Sequence, residues 1–339
     1  MSFLADIQAQ PAVLRALVHT YQEQAPWQAL SRVRSSSAPL ILTGMGASFY
    51  ALYPLWLYLN QQGNLALQME AAELLYYAPA VVQSAALLLV VSQSGESIEI
   101  RRLLETVQGQ VAIASVTTTA DNFLAAHSDY GFTTAAGAEV GVASKTYTSS
   151  LALLHLWGRH WLGREEDAAP SLLAIADQME TLLQGKIQLE PAWEHLQSTT
   201  SLTCIGRGPA LATALDAALV FKEAARLPAV GLSGGQFRHG PMEAVSPESG
   251  FIIFANGGKT AHLNQKLAVE IASHGGRVVL IGQAIADPGL VSVPLPLVDE
   301  YLSPLLEILP IQLLAAQFAE AAGLIPGQFR WGSKVVQTE

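Results

Sequence analysis

The chain contains a single cysteine, Cys204, in 339 residues. An internal disulfide and a thiolate zinc site are both excluded, and Cys204 reads as a small apolar residue buried in a strand. Charge is scarce as well, at 14% of residues against 50% hydrophobic. That shortage leads to the expectation that some apolar surface is buried between subunits. The charge that remains is acidic, with a net of −10, which argues against nucleic acid or an anionic membrane as the main partner. An acidic chain that binds an anion must do so locally, with backbone N–H groups and a few placed cations. Long hydrophobic runs are missing too: residues 85–91 fall far short of a membrane span, and Gln312, Gln317 and Glu320 interrupt 305–325. The start, Met1-Ser2-Phe3-Leu4-Ala5-Asp6, has no basic region followed by an apolar run, so no signal peptide is expected. The expectation is a soluble cytoplasmic protein, long enough for two α/β domains that each bury a core.

What is present is a strand–glycine–helix pattern that occurs twice. Pro39-Leu40-Ile41-Leu42-Thr43 leads through Gly44-Met45-Gly46-Ala47-Ser48 into a helical stretch over 49–59. Ser201-Leu202-Thr203-Cys204-Ile205 leads through Gly206-Arg207-Gly208 into a helical stretch over 209–225. Short apolar runs bounded by glycine and followed by helical periodicity signal parallel α/β structure. At matching distances come the strands Leu87-Leu88-Leu89-Val90-Val91 and Phe251-Ile252-Ile253-Phe254, then third strands over 111–116 and 277–281. The same order in both halves implies an internal duplication. The polar stretch 163–170 precedes a linker helix expected over 171–185. The expected division is an N-terminal helix over 1–24, a first domain over 25–165, a linker helix over 166–195, a second domain over 196–325 and a tail over 326–339.

The loops decide the chemistry. The Gly-x-Gly pairs at 44/46 and 206/208 lack the third glycine of a dinucleotide fingerprint, because Phe49 and Leu211 stand there. Gly258-Lys259-Thr260 fails as a nucleotide P-loop because Ile253 replaces the required earlier glycine. No cofactor is implied. Ser92-Gln93-Ser94-Gly95-Glu96-Ser97 leaves a buried strand and enters a helix expected over 98–107. Its hydroxyls and N–H groups converge at a helix N-terminus, a ready site for a dianionic phosphate. The competing reading is a plain cap, with Ser94 at the N-cap and Ser97 in the first turn. In the second half, Gly240-Pro241 breaks the chain and leaves His239 at a helix end or in a cleft; alone, His239 also suits a structural or surface role. Glu223, beside Lys222 on a helix, reads in isolation as solvated. Glu243 follows His239 by one helical turn, but no third ligand follows, so no metal is expected.

Taken together, Gly46-Ala47-Ser48, the Ser92-Gln93-Ser94-Gly95-Glu96-Ser97 loop, Glu139-Val140-Gly141-Val142-Ala143-Ser144-Lys145-Thr146, Lys222-Glu223, Arg238-His239-Gly240-Pro241 and Lys334-Val335-Val336-Gln337-Thr338 resemble the isomerase half of glucosamine-6-phosphate synthase. The set is also similar to the stand-alone tandem SIS (sugar isomerase) proteins, including aminosugar-phosphate deaminases and fructosamine-phosphate deglycases. The resemblance runs in order from about residue 25 to the C-terminus. It implies two tandem SIS domains, each a parallel sheet flanked by helices in a flavodoxin-like three-layer sandwich. It implies that Ser48, Ser92, Gln93, Ser94 and Ser97 hold a sugar phosphate, with Ser144 and Lys145 lining the same pocket. Glu223 would shuttle a proton between the first two sugar carbons. His239 would help open the ring and reach a neighbouring subunit's site, which implies a homodimer. Lys334 would meet the open-chain sugar from a tail closing over the active site, by imine formation or as a cation near the carbonyl oxygen. Aldose–ketose exchange needs such a carboxylate base, ring-opening group and cation.

Three departures shape the expectation. The synthase carries a lysine three residues before its base, where this chain has Val220; the segment after Glu139 is one residue shorter; and the chain starts at Met1-Ser2 with a helix in place of a glutaminase domain. The reading is a phosphosugar isomerase or deaminase acting on an aminosugar 6-phosphate or fructosamine phosphate through an enediol(amine). The alternative is a non-catalytic sugar-phosphate sensor.

Overall fold

The computed structural model describes residues 2–23, 27–30, 33, 38–336 and 338. Gln337 of the C-terminal motif and residue 25, the expected domain start, lie outside them. The chain divides into two compact units, one made of residues 12–139, 145–174 and 331–339, the other of 1–11, 140–144 and 175–330.

The unit built on residues 12–139 holds β1 (Leu40–Gly44), β2 (Ala66–Glu70), β3 (Leu87–Val91), β4 (Ile113–Thr117) and β5 (Tyr130–Thr133). They form one parallel sheet in the order β2-β1-β3-β4-β5. The central strands β1, β3 and β4 are buried at every position, whereas the edge strands β2 and β5 mix buried and exposed residues. Continuous apolar runs are what a parallel sheet covered on both faces requires. The helix Ile98–Val107 shows how one cover is attached. Its Ile100, Leu103, Leu104 and Val107 recur at helical spacing and pack with Ile41, Leu88 and Val90 of the sheet. Each such side chain removed from water contributes about 1.5–3 kcal/mol.

The unit built on 175–330 repeats this plan with β6 (Ser201–Gly206), β7 (Ala229–Ser233), β8 (Ser249–Ala255), β9 (Arg277–Gly282) and β10 (Leu290–Pro294). The parallel order is β10-β9-β8-β6-β7. Counted from its own first strand, each sheet has the second strand on one side and the third, fourth and fifth on the other. The strand order therefore reverses between β1 and β3, and again between β6 and β8. In doubly wound sheets the crevice at that reversal, outside the carboxyl ends of the strands, is where ligands bind.

The helix Ser303–Ala321 fills the interior of the second sheet's unit, burying fifteen of its side chains. Among the described residues no helix is long and apolar enough to cross a membrane. Two polar residues of the helix Ser303–Ala321 face inward, while Glu320 is exposed. Gln312 is fully buried and its Oε1 accepts from Gln10 Nε2 at 2.7 Å. Glu307 is fully buried, and its Oε2 accepts from Thr213 Oγ1 at 2.9 Å, on the helix Ala210–Ala225. Burial pushes the Glu307 carboxyl from 4.5 up to about 7, against the opposing pull of Thr213, Ser303 and the Asn256 amide.

The folded carboxyl thus keeps its proton to higher pH than the unfolded one, so stability falls as pH rises from 4.5 to about 7 and the loss stays constant above. Glu307→Gln should be more stable than the unmutated chain by about 2–3 kcal/mol at about pH 8, with the gain shrinking toward zero near pH 4. Thermal melts across that range check this, and a gain of equal size at both ends would contradict it.

Candidate functional site

The reversal between β1 and β3 is where the two serine-bearing segments come together. β1 and β3 are hydrogen-bonded neighbours, with Gly44 paired in register to Val91. The segment after Gly44 places Ser48, half-buried, in the first turn of the helix Gly46–Gln61. The segment after Val91 is the 92–97 loop, which enters the helix Ile98–Val107.

That loop is tied down along its length. Ser92 N–H donates to Val116 O at 3.0 Å, Thr118 N–H to Gln93 O at 3.1 Å and Leu124 N–H to Gly95 O at 3.0 Å. Gly95 has φ +67, and a Cβ there would lie 1.9 Å from Asn122 Oδ1, so only glycine fits. Glu96 turns away from the loop's inner edge. Its Oε1 accepts from Phe123 N–H at 2.8 Å, its other oxygen pairs with Arg101, and the Arg101 guanidinium lies 4.3 Å over the Phe123 ring. The Phe123 amide first, and then Arg101, hold the Glu96 carboxyl below the usual range. The negative charge of the loop is thereby committed.

The hydroxyls are arranged differently. Ser92 Oγ accepts from Gly95 N–H at 3.2 Å, and Ser94 Oγ accepts from Glu96 N–H at 3.1 Å. With each oxygen serving as acceptor, each hydroxyl proton is left to donate elsewhere. Ser97, rather than Ser94, occupies the N-cap, and its side chain makes no capping bond. Gln93 Nε2 reaches Thr118 Oγ1 at 3.4 Å.

The C-terminal tail joins the same unit. Ile98 N–H, the first amide of the loop's helix, donates to Val336 O at 3.1 Å. Two residues earlier, Lys334 Nζ meets Glu139 Oε2 at 2.6 Å, and the Glu139 side chain is completely buried. Glu139 also takes Thr146 N–H on Oε1 at 3.0 Å and Thr146 Oγ1 on Oε2 at 2.5 Å. It therefore holds the N-terminus of the helix Lys145–Leu162, where a carboxylate is favoured by the helix dipole. Lys145, 7% exposed, begins that helix. Sequence reasoning gave Glu139 no role. Nothing local announces it, because its partners lie seven and 195 residues away.

The remaining predicted residues belong to the unit of the second sheet. Ser144 is fully buried. Glu223 is half-buried on the helix Ala210–Ala225, in a stretch where Val220 and Ala224 are 1% and 2% exposed. His239 is exposed just past the short helix Gly234–Phe237, and its N–H donates to Gln236 O at 3.0 Å. Gly240, at φ +127, then redirects the chain into the turn Pro241–Ala244. Among the described residues, no group of His, Cys, Asp and Glu side chains is placed to hold a metal ion.

Comparison with known proteins agrees with this duplicated plan. The SIS-domain profile matches residues 35–157 and again 195–288. The chain is 28% identical over 315 residues to glutamine–fructose-6-phosphate aminotransferase (isomerizing) of Brucella abortus, covering 88% of this chain and 52% of that protein. It thus spans about half the length of the curated relatives it matches. Among solved structures, the C-terminal domain of glucosamine-fructose-6-phosphate aminotransferase from Francisella tularensis superposes with a TM-score of 0.88 at 19% identity, over 96% of this chain and 97% of that one. Glucosamine-6-phosphate deaminase from Thermotoga maritima superposes with a TM-score of 0.76 at 17% identity, over 99% of each chain. The first match spans β1 to β5 and the second β6 to β9, and both sheets share one strand order. The chain belongs to the SIS-domain family, with two SIS domains in tandem.

Proposed function

We propose that the chain is a phosphosugar isomerase or deaminase acting on an aminosugar 6-phosphate, or on a fructosamine phosphate, through an enediol(amine). The observation that carries this reading is the 92–97 loop. Its serine oxygens are already satisfied by backbone amides, and its N-cap serine caps nothing. A capping role leaves that arrangement without a purpose, whereas a phosphate uses the spare hydroxyl protons and the positive helix end together. Ser48 and Gln93 complete the anchor.

With the phosphate fixed, Glu223 serves as the base that carries a proton between the first two sugar carbons, and His239 assists ring opening. The exposure of His239 suits a side chain that serves a neighbouring subunit of a homodimer. Lys334, held by the Glu139 carboxylate, supplies a cation for the developing oxyanion. Ser144 and Lys145 line the pocket. A second reading, a sugar-phosphate sensor, is favoured by Val220, a buried valine where the synthase has a lysine.

Ser94→Ala should weaken binding of glucosamine 6-phosphate by about 1–2 kcal/mol, the worth of one hydrogen bond to a charged group. Calorimetric titration checks this, and unchanged affinity would return the loop to a structural role. Glu223→Gln keeps size and hydrogen bonding but cannot accept the proton. Sugar-phosphate binding should survive, while turnover and exchange of the C2 hydrogen with deuterated water fall by about 10²–10⁴-fold. If the unmutated chain binds a panel of aminosugar phosphates yet gives neither exchange nor ammonia release, the sensor reading replaces the enzyme.

A further inference from the structure

Glu139 stands where the segment leaving β5, the helix Lys145–Leu162 and the C-terminal tail meet, all within the unit built on residues 12–139. Its side chain is completely buried. Oε1 accepts from Thr146 N–H at 3.0 Å, while Oε2 accepts from Thr146 Oγ1 at 2.5 Å and from Lys334 Nζ at 2.6 Å. Thr146 alone makes a helix cap: a carboxylate at a helix N-terminus needs the amide it caps and gains from the dipole. A cap has no need of a cation drawn from 195 residues away. A lysine that must stand at a fixed point, however, does need a carboxylate. The pair binds in both directions, because removing Lys334 leaves the charge of Glu139 less compensated in the interior.

Chain ends are poorly ordered unless tied down, and a lysine carries its charge on a flexible stem. The tail is tied on both sides of a short turn. Lys334 Nζ meets Glu139, and Val336 O accepts from Ile98 N–H at 3.1 Å, at the start of the helix that follows the serine loop. Between them, Ser333 Oγ donates to Val335 O at 2.5 Å. The Lys334 side chain is 26% exposed, so it is pinned yet within reach of a ligand. The same carboxylate registers a second lysine. Lys145 precedes Thr146 and opens the helix, almost fully buried. Its carbonyl accepts from Ser149 Oγ at 2.6 Å and from Thr148 Oγ1 at 3.3 Å. The Lys145 backbone is thereby fixed from both ends, by Glu139 through Thr146 N–H and by hydroxyls one turn further on.

We infer that Glu139 is a positioning residue of the sugar-phosphate site: it sets where Lys334 stands relative to the serine loop and fixes the turn from which Lys145 enters, without itself meeting the sugar. The inference rests on the reading of that loop and of Lys334 as parts of one site. Stabilisation of a developing oxyanion depends on a charge already in place, and a lysine that must first be ordered loses part of its effect. Both Glu139 oxygens are engaged, which leaves the proton transfer to Glu223.

Variants of the full chain separate this role from that of a helix cap. Glu139→Gln keeps the length and an oxygen for Thr146 N–H but removes the charge that holds Lys334. Hydrogen exchange at the Ile98 amide reads the docked tail; it should quicken about tenfold or more in Glu139→Gln, and likewise in Lys334→Met. With glucosamine 6-phosphate, kcat for exchange of the C2 hydrogen should fall about ten- to a hundredfold in Glu139→Gln, while KM changes less than about threefold. Combining Glu139→Gln with Lys334→Met should cost no more than Lys334→Met alone, as expected of residues that act as one unit. Thr146→Val loses the capping hydroxyl but keeps the amide and the Lys334 pair, and should leave both readouts near their unmutated values. Unchanged Ile98 exchange in folded Glu139→Gln protein, or equal losses in Thr146→Val, overturns the inference and leaves a helix cap. Faster exchange with unchanged kcat overturns it as well and leaves a tail anchor outside the reaction. Ile98 exchange is read without turnover. A chain that binds glucosamine 6-phosphate but turns over nothing therefore fails the enzyme reading, while Glu139 is still judged by that exchange, quickened in its favour or unchanged against it.

Discussion

Running every strand of a sheet in one direction forces each crossover helix to return the same way, so the helix N-termini gather on the edge where the strands end. In this chain that constraint operates twice, with the same strand order both times. Where the order reverses, the loops after the first and third strands splay apart and leave a crevice walled by amide N–H groups. A chain with a net charge of −10 can hold an anion at such a place without any basic surface. The glycines follow from it too. Gly95 exists because the loop must pass against Asn122, and Gly46 and Gly208 because the turn after each first strand is left-handed.

Two buried carboxylates show how differently one chain handles the same group. Glu139 is surrounded by an ammonium, an amide and a hydroxyl, which together compensate its charge. Through it the tail, the start of the helix Lys145–Leu162 and the end of the first sheet become one mechanical piece, to which Ile98 adds the serine loop. Glu307 is partnered by neutral groups only, Thr213, Ser303 and the Asn256 amide, and its deep burial outweighs them and favours the neutral form. A carboxylate with a full set of partners tends to be architecture.

Much of the plan was legible because burial on both faces writes itself into sequence as an unbroken apolar run. The strands at 87–91 and 251–254 needed nothing more, and the helix at 98–107 only its helical spacing of apolar residues. The edge strands β2, β5, β7 and β10 escaped because one side of each meets solvent and their residues alternate, as in Ala66-Leu67-Gln68-Met69-Glu70. In the candidate site, the Ser-Gln-Ser-Gly loop was visible because several hydroxyls crowd one turn. Its actual cap, Ser97, was not, since cap position depends on backbone angles that Gly95 sets. Glu139 and Glu307 were invisible for a common reason: both act through partners remote in sequence, and an acidic residue in an apolar stretch looks the same whether it faces water or a hydroxyl.

The single cysteine has a practical bearing. Cys204 lies in β6 with no exposed surface, and burial drives its thiol up to about 12. Almost none of it is thiolate at neutral pH, and reagents that alkylate or oxidise sulfur need both the thiolate and a path to it. The folded protein is therefore a chemically silent background for sulfur chemistry. A cysteine introduced at any exposed position would be the only one to take a maleimide dye or a spin label. Pairs of such probes could follow the tail and the serine loop without first removing a native residue.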